Sequence, residues 1–269
     1  MVSPDVIASS PTLAPSWQWQ SWEGLPYLTC SLLQSWSHGF FTRQFRPRMP
    51  EELVEVLQPQ AQAYRTQQVH GQRVVTPSEM ALAAVDKVEA DGILTERSHQ
   101  AVWVATADCT PALIGDLETG RVAAVHAGWR GTAQRILPEA VARFLAAGSS
   151  LENLRIAMGP AIAGEVYQVS EPVAAQVGAS IIPSERADTP DSILEALRQL
   201  PEPPLLDDSH PKRVRLDVRR VNALQLQKLG ISAQQVVIAP YCTYQQPEDF
   251  CSYRRCKENK VQWSGIISH

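Results

Sequence analysis

The chain has 269 residues, of which 44% are hydrophobic and 19% charged, and its formal net charge is −4. This composition is typical of a soluble globular protein, and it excludes collagen, coiled coils and wholesale disorder. A chain of this length buries enough surface to fold without disulfides. The five cysteines are odd in number and widely spread, which indicates a reducing, cytoplasmic compartment where thiols serve metals or catalysis. They are Cys30, Cys109, Cys242, Cys251 and Cys256.

The same composition argues against nucleic acid and membranes as partners. The mildly acidic charge balance gives no overall field that attracts a polyanion, and no apolar run approaches membrane-spanning length. Residues 1–16 lack the basic and unbroken apolar regions of a secretory signal, and their Ser/Pro-rich character predicts a flexible tail. We expect residues 17–269 to form a single domain, whose oligomeric state the sequence does not indicate.

In chain order, the first predicted elements are strands. The aromatic-rich segment 17–22 and the runs YLTCSLL (27–33) and HGFFT (38–42) have strand-forming residues, and Pro50 predicts the start of a short helix through residue 57. Three short apolar runs then predict buried strands: AVWVAT (101–106), PALIGDL (111–117) and RVAAVH (121–126).

The later elements alternate between helix and strand. Helical spacing over residues 132–147 predicts one helix ending at Gly148, with a late start or a kink at Pro138. LRIAMG (154–159) and QVVIAP (235–240) predict strands, Ser170 predicts the cap of a helix, and residues 217–229 predict another helix. The polar segment 183–213, with a short amphipathic stretch, indicates an excursion or flexible loop. The predicted class is α/β (α+β).

Three of the predicted strand ends carry metal-ligand side chains. His70 lies in QVHG (68–71), Cys109 in ADCTP (107–111) and His126 in VHAGWRG (125–131). Two imidazoles and a thiolate suit Zn²⁺, and three protein ligands leave a fourth position for water or substrate, as in catalytic sites. A metal there would lower the pKa of its water and polarise an attacked atom.

Two interpretations of these residues stay open. Each residue alone is better explained as a satisfied core histidine or a small buried thiol, but their shared position in Gly-flanked turns favours a site. Without metal, Cys109 would be a nucleophile, with His126 or His70 as its base and Asp108 or Asp91 as the orienting carboxylate. Bound metal and chelator sensitivity separate the two interpretations.

Further residues are candidates for binding a substrate or phosphate. The Gly-containing turn after His126 leads into a predicted helix N-terminus beside Arg130, which favours an anion such as phosphate. Asp91 lies in a turn where it would cap the chain, orient a ligand histidine or contact substrate. Tyr167 would stack on or hydrogen-bond a flat polar substrate. Arg43 and Arg254 are additional anion ligands in this prediction, and Arg255 is a weaker one.

The order of several motifs is specific enough to resemble a known family. Together with ADG (90–92), GPAI (159–162) and FCSYRR (250–255), the three ligand segments resemble the YfiH/LACC1 family, often described as a laccase domain or multicopper polyphenol oxidase. The resemblance implies mixed β-sheets with helices packed outside, a layered sandwich of the CNF1/YfiH kind, and Zn²⁺ on His70, Cys109 and His126. The chain departs from the family pattern at Cys256, where an aspartate is usual, and lacks the Gly-Arg that follows.

The resemblance also implies chemistry on purine nucleosides, with nucleoside and phosphate as small-molecule partners. The implied reactions are phosphorolysis of adenosine, inosine, guanosine and S-methyl-5′-thioadenosine, and hydrolytic deamination of adenosine. A multicopper laccase needs roughly ten histidine-type ligands, and the chain has 6 histidines, so phenol oxidation is not expected and Cu²⁺ is expected only as a competing metal. Two alternatives remain: an amidohydrolase editing peptidoglycan precursors, and a non-catalytic protein with structural zinc.

Overall fold

The computed structural model of the protein describes residues 16–83, 87–183, 185 and 188–269. Most of the predicted tail, residues 1–15, lies outside the described residues. Ser16 is described, and its amide donates a hydrogen bond to Ser31 Oγ at 2.8 Å. In the described part of the chain, no helix has the length and apolar character needed to cross a membrane.

A first six-stranded sheet combines the two ends of the described chain. Its strands, in chain order, are β1 (Trp17–Trp22), β2 (Leu25–Cys30), β3 (His38–Phe41), β4 (Gln62–Tyr64), β7 (Gln100–Thr106) and β15 (Gln262–Ile267). The spatial order is β1-β2-β3-β15-β7-β4. All neighbours are antiparallel except β4 and β7, which are parallel. The strands predicted at 17–22, 38–42 and 101–106 are confirmed; of the strand predicted at 27–33, only residues 27–30 are a strand, and Ser31–Leu33 form a 3-10 turn.

A second six-stranded sheet holds the middle of the chain. It contains β5 (Val74–Val75), β6 (Gly92–Leu94), β8 (Thr110–Asp116), β9 (Val122–Ala127), β10 (Leu154–Met158) and β14 (Val236–Ile238). The spatial order is β14-β10-β8-β9-β6-β5, again with mixed directions. These buried strands confirm the apolar runs identified in the sequence.

The two sheets pack face to face, and helices cover their outer faces. Phe40, Val104 and Ile266 of the first sheet share one buried cluster with Leu113 and Ala124 of the second. Helix α1 (Pro50–Leu57) covers the other side of the first sheet, and helices α4 (Ile136–Ala146) and α7 (Val218–Lys228) contribute to the buried cluster on the other side of the second. The predicted layered arrangement of mixed sheets with outer helices is confirmed.

The polar segment 183–213, predicted to be an excursion or flexible loop with a short amphipathic stretch, has regular secondary structure in its described residues, and the amphipathic stretch is a helix. It contains helix α6 (Pro190–Arg198), strand β12 (Leu205–Asp207) and the start of β13 (Arg213–Leu216). With β11 (Gln168–Ser170) these strands form a third sheet of order β11-β13-β12, which shares a core with α5 (Glu171–Gly178) and α6. Ser170 occupies the N-cap position of α5, but its side chain makes no capping hydrogen bond.

The helix predicted over residues 132–147 is two helices. Helix α3 (Trp129–Ala133) ends before Arg135, whose φ of 64° breaks the helical path, and α4 then begins at Ile136. Pro138 is the third residue of α4, where its missing N–H costs no intrahelical bond, so the predicted late start is confirmed. The end at Gly148 is confirmed by its φ of 94°. The remaining helices are α2 (Pro77–Leu82) and α8 (Tyr253–Cys256).

Candidate metal and substrate site

The three predicted metal ligands meet at one end of the second sheet. The ligand atoms of His70, Cys109 and His126 all lie within 4.8 Å of one another, and no other such group of ligand side chains occurs among the described residues. The imidazole rings of His70 and His126 are 4.8 Å apart and nearly perpendicular. His70 is exposed, Cys109 is half-buried and His126 is buried, so the cluster opens toward solvent on one side.

Strand register explains this convergence. Strands β8 and β9 pair Thr110 with Ala127, which places Cys109 opposite Gly128 just beyond the paired residues. Gly128 has no side chain, and a Cβ there would lie 2.8 Å from Cys109 Sγ and 3.4 Å from His70 Cδ2. The glycine of the GWRG segment therefore leaves room for the thiol and the imidazole.

Asp91 fixes the positions of both histidines through hydrogen bonds to the backbone of one and the ring of the other. Its carboxylate accepts hydrogen bonds from the backbone amides of Val69, His70 and Gly71 at 3.1, 2.9 and 2.7 Å. It also accepts one from His126 Nδ1 at 2.7 Å. Because Nδ1 carries the proton that Asp91 accepts, Nε2 of His126 is the ring nitrogen that faces Cys109 and that would bind a metal in place of its proton. Asp91 is 0% exposed, so its carboxylate does not face the solvent side of the cluster.

The charges of the cluster support one another. Burial opposes ionisation of Cys109, but the hydrogen bonds and positive charge of His126 and His70 outweigh it and lower the Cys109 pKa to about 6. Burial likewise opposes the charge on His126, but Asp91 and the Cys109 thiolate raise the His126 pKa to about 9. Thiolate is the form of cysteine that binds metals, and the cluster stabilises it before any metal arrives.

The donor set fits Zn²⁺. Tetrahedral bonds of about 2.0–2.3 Å place neighbouring ligand atoms roughly 3.5 Å apart, so atoms that already lie within 4.8 Å of one another need only small side-chain rotations. One sulfur and two nitrogens leave the fourth position open on the exposed side, as catalytic zinc sites require. The space beside Gly128 leaves room for such rotations of the Cys109 and His70 side chains.

A cleft adjoins the cluster and supplies an aromatic wall. Its lining includes Cys109, Trp129, Ile162, Tyr167 and Val218. The guanidinium group of Arg130 lies 4.4 Å from the Trp129 ring centre, and that of Arg254 lies 4.8 Å from the Tyr167 ring centre. Burial, with the negative charge of Cys109 second, raises the pKa of Tyr167 to about 12, so its phenol keeps its proton at neutral pH. Of the predicted residues, Tyr167 thus lines the cleft with the thiol, and Arg130 and Arg254 lie over the two rings that line it.

Other predicted residues lie elsewhere. Arg43 lines a separate cavity with Cys251 and Arg255, and its Nη1 donates to the carbonyl of Pro247 at 2.7 Å. Its role in phosphate binding stays a prediction. Asp91, also predicted to contact substrate, faces the protein and orients the ligands, which was the alternative role considered for it. Asp108 does not orient a histidine, because its carboxylate binds Thr243 and the Arg254 amide.

The helix N-terminus predicted beside Arg130 begins at Trp129, directly after Gly128, and its binding of an anion stays a prediction. Gly131 and Thr132 lie inside α3, which begins at Trp129 and has only five residues. A Cβ on Gly131 would lie 2.8 Å from the carbonyl oxygen of Gly71. The glycine therefore allows α3 to pack tightly against the turn that carries His70.

Sequence reasoning gave no role to two residues of the site. Trp129 lines the cleft, and Thr243 hydrogen-bonds Asp108 beside Cys109. Trp129 lies in VHAGWRG (125–131), so its position was marked, but no local pattern shows that residues more than 100 positions apart, such as Asp108 and Thr243, meet. The contact between Thr243 and Asp108 spans 135 residues.

Comparison with known families identifies one family over most of the chain. Residues 48–267 match the family described as multi-copper polyphenol oxidoreductase laccase. This match covers well over half of the chain, and the chain belongs to that family. The resemblance to YfiH-type proteins expected from the motifs is confirmed.

One curated relative and one solved structure match nearly the whole chain, and a second relative matches 70% of it. The purine nucleoside phosphorylase slr1573 of Synechocystis sp. is 51% identical over 257 residues, covering 94% of this chain and 97% of that protein. The adenosine deaminase RL5 of an unknown prokaryotic organism is 27% identical over 197 residues, covering 70% of this chain and 68% of that protein. The crystal structure of YlmD from Geobacillus stearothermophilus superposes with a TM-score of 0.77 at 22% identity, covering 93% of this chain and 98% of the other.

Proposed function

We propose that the protein is a zinc-dependent purine nucleoside enzyme of the cytoplasm, in which residues 17–269 act as one domain. It would cleave adenosine, inosine, guanosine and S-methyl-5′-thioadenosine with phosphate, and deaminate adenosine with water. The observation that carries the proposal is the open His70, Cys109 and His126 cluster beside an aromatic cleft that has two guanidinium groups on its rings. Relatives named purine nucleoside phosphorylase and adenosine deaminase support both reactions.

The arginines of the cleft are suited to the phosphate. The guanidinium of Arg130 and the Nε and Nη2 groups of Arg254 have no hydrogen-bond partner among the described residues. Each guanidinium lies on an aromatic ring that lines the cleft. Arginine recognises phosphate through paired donors, so two arginines would hold the anion and direct an oxygen at the ribose anomeric carbon. As that bond forms, the bond from the ribose to the purine breaks.

The aromatic wall is suited to the purine. Trp129 and Tyr167 present ring faces on which a flat heterocycle stacks. Since Tyr167 keeps its proton, its phenol donates a hydrogen bond to a ring nitrogen or carbonyl oxygen of the base. A zinc ion on the three ligands would supply activation of a water for attack on the purine ring and would polarise the leaving group.

Phenol oxidation of the multicopper type does not fit these residues. Only His70 and His126 belong to the cluster, although the chain has 6 histidines. His38 is buried between the Trp36 carbonyl and the Cys30 amide, and His99 and His210 bind Gln58 and Asp208. The multicopper family name therefore does not imply a multicopper site here, although Cu²⁺ would compete with Zn²⁺ for the same three ligands.

The test is direct. Purified protein loaded with zinc is given adenosine with and without phosphate, and the products are separated by chromatography. Adenine that forms only with phosphate indicates phosphorolysis, and inosine that forms without phosphate indicates deamination. Metal content is measured on the same sample. Absence of both products from the zinc-loaded protein would refute the proposal.

One observation favours a second candidate. Asp91, His126 and Cys109 are aligned as an orienting carboxylate, a base and a thiol of lowered pKa, the arrangement of a cysteine-nucleophile hydrolase. Such an enzyme would edit amide bonds in peptidoglycan precursors, would be trapped covalently by iodoacetamide and would not need metal. Activity that survives a chelator but not iodoacetamide would support this candidate over the first.

A further inference from the structure

Asp108, the buried residue before the Cys109 thiol, accepts hydrogen bonds from three parts of the chain that are distant in sequence. Asp108 is 8% exposed. Its Oδ1 accepts a hydrogen bond from Thr243 Oγ1 at 2.7 Å, and its Oδ2 accepts one from the Arg254 backbone amide at 2.7 Å. Its carbonyl oxygen accepts the amide of Ile162 at 3.0 Å. Of the three partners, Ile162 lines the cleft, Arg254 lies over the Tyr167 ring that lines it, and Thr243 contacts the cleft through Asp108.

The backbone of Asp108 has a conformation that its side chain stabilises. Its φ of 89° lies where residues other than glycine are uncommon, although aspartate and asparagine are tolerated. The two short hydrogen bonds of the carboxylate hold this turn against Thr243 and α8. The turn therefore has a fixed place relative to α8 as well as to the thiol that follows it.

Arg254 is fixed at both ends by these contacts. Asp108 holds its backbone amide, and the carbonyl of Gln168 accepts a hydrogen bond from its Nη1 at 2.9 Å. Its guanidinium carbon lies 4.8 Å from the Tyr167 ring centre. Removing the first contact leaves the Arg254 amide without its acceptor, while the Ser252 cap of the four-residue helix α8 remains, and we expect the guanidinium to lose its set position over the ring.

We propose that Asp108 is a positioning residue for phosphate, which it serves by holding Arg254 over Tyr167 at the edge of the cleft. The inference rests on the proposed function. Asp108 makes no hydrogen bond to His70 or His126, whereas Asp91 makes hydrogen bonds to both. A change at Asp108 therefore weakens the use of phosphate more than it weakens deamination, which uses no phosphate.

Two substitutions separate the carboxylate from the backbone strain. Asp108→Gly keeps the left-handed φ accessible but removes both acceptors. Asp108→Asn keeps the shape and the φ, and its amide can accept from the Arg254 amide while donating to the Thr243 hydroxyl. The KM for phosphate, the kcat of phosphorolysis and the kcat/KM of deamination are measured on zinc-loaded wild type and on both variants, with metal content as a check.

We expect Asp108→Gly to raise the KM for phosphate about tenfold more than it lowers the kcat/KM of deamination. A tenfold effect is the size expected when one charge-assisted hydrogen bond is weakened. Asp108→Asn should restore most of the wild-type value. In an Arg254→Ala background, Asp108→Gly should raise the KM for phosphate no further, because its effect passes through Arg254. If Asp108→Gly does not fold, Thr243→Val removes one of the two contacts and should raise the same KM about threefold.

The outcomes separate the inference from the proposed function. A wild-type enzyme active in both reactions, with equal losses of phosphorolysis and deamination in Asp108→Gly, would overturn the inference alone. A further rise in the Arg254→Ala background would also overturn it. A zinc-loaded wild type with neither activity would overturn the proposed function and the inference with it.

Discussion

Asp91 and Asp108 are both buried carboxylates close to the candidate metal ligands, but they accept hydrogen bonds from different parts of the site. Asp91 binds the amides of the turn that carries His70 and the ring of His126. Asp108 binds Thr243 and the amide of Arg254, next to the substrate cleft. The Asp91 side of the site consists of metal ligands, and the Asp108 side consists of groups proposed to bind substrate.

The comparison shows how one site can separate two tasks. The partners of Asp91 are the turn at residues 69–71 and His126 of β9, and Asp91 directly precedes β6, whose Gly92 pairs with Val125 of β9. The partners of Asp108 come from loops and α8, up to 146 residues away. The candidate metal ligands therefore lie together at one end of the second sheet, and the groups proposed to bind substrate lie on the connections around it.

The largest effect should come from Cys109→Ser, which removes the ligand that lies between the two sides. Zinc content should fall to background and both reactions should stop, because a hydroxyl replaces the only thiolate of the cluster. Elemental analysis and product chromatography measure these losses. Cys256→Ser changes an exposed thiol outside the cluster and should retain zinc and activity. Full zinc in Cys109→Ser would contradict the assigned ligand set.

Thiol reactivity tests the charge coupling on the Asp91 side. In metal-free protein, the imidazoles lower the Cys109 pKa to about 6, so thiolate predominates at pH 7. The alkylation rate with iodoacetamide should rise with pH to a midpoint near 6 and level off above it, and the thiolate fraction at pH 7 should be on the order of a hundredfold above that of an ordinary thiol. Mass spectrometry of the Cys109 peptide gives the rate. Added zinc should suppress it, and a midpoint near 9 would refute the coupling.

Asp91→Asn should weaken zinc binding without removing a ligand. Its amide group meets backbone N–H donors at residues 69–71, so a donor faces a donor and the turn shifts. Loss of such a partner typically costs about 10–100-fold in metal affinity, which chelator competition measures. Asp116→Asn is the matched control, since Asp116 is also buried but binds Thr119 and not a metal ligand. Equal zinc affinities in the two variants would remove the distinction drawn for Asp91.

Gly128→Ala should disturb the metal ligands by crowding. The added methyl lies 2.8 Å from Cys109 Sγ, so the thiol must move, and the strain should weaken zinc binding roughly tenfold. At Gly71 the nearest atom to an added Cβ lies at 3.6 Å, an ordinary contact, so Gly71→Ala serves as the control. Zinc titration compares the two variants. If Gly71→Ala proves the more damaging, the crowding argument fails.

The smallest effect should come from Tyr167→Phe on the Asp108 side. The ring that lies under Arg254 is retained, and because the ring supplies most of the cation–π attraction, the KM for phosphate should change by less than about threefold. Tyr167→Leu removes the ring and should raise that KM further. Steady-state kinetics of phosphorolysis compare the two, and equal values for Phe and Leu would show that the ring does not position Arg254.

The sheets and the metal ligands could be predicted because their signals are local. Short apolar runs indicated β7, β8 and β9. His70 lies in a turn, Cys109 directly precedes β8, and His126 lies near the end of β9. Proline and glycine marked the limits of α4, where Pro138 falls in the first turn and Gly148 ends the helix. These features depend on residues close together in the chain, so a sequence pattern contains most of the information.

The third sheet and the substrate side could not be predicted in the same way. Strand β13 (RVRL) alternates charged and apolar residues over four positions, and β12 (LLD) has only three positions, so neither stands out from the polar segment around it. The break at Arg135 depends on a left-handed residue that no local rule requires. The partners of Asp108 are set by tertiary packing over more than a hundred residues. Long-range contacts of this kind leave no short pattern.

The position of β15 has a consequence for synthesis of the chain. This strand, at residues 262–267, lies between β3 and β7 and pairs with both, so it joins two halves of the first sheet that are not paired to each other. Until it emerges from the ribosome, β3 and β7 each present an open strand edge, a template for intermolecular pairing. Chains truncated before residue 262 should therefore aggregate rather than accumulate as a smaller folded protein.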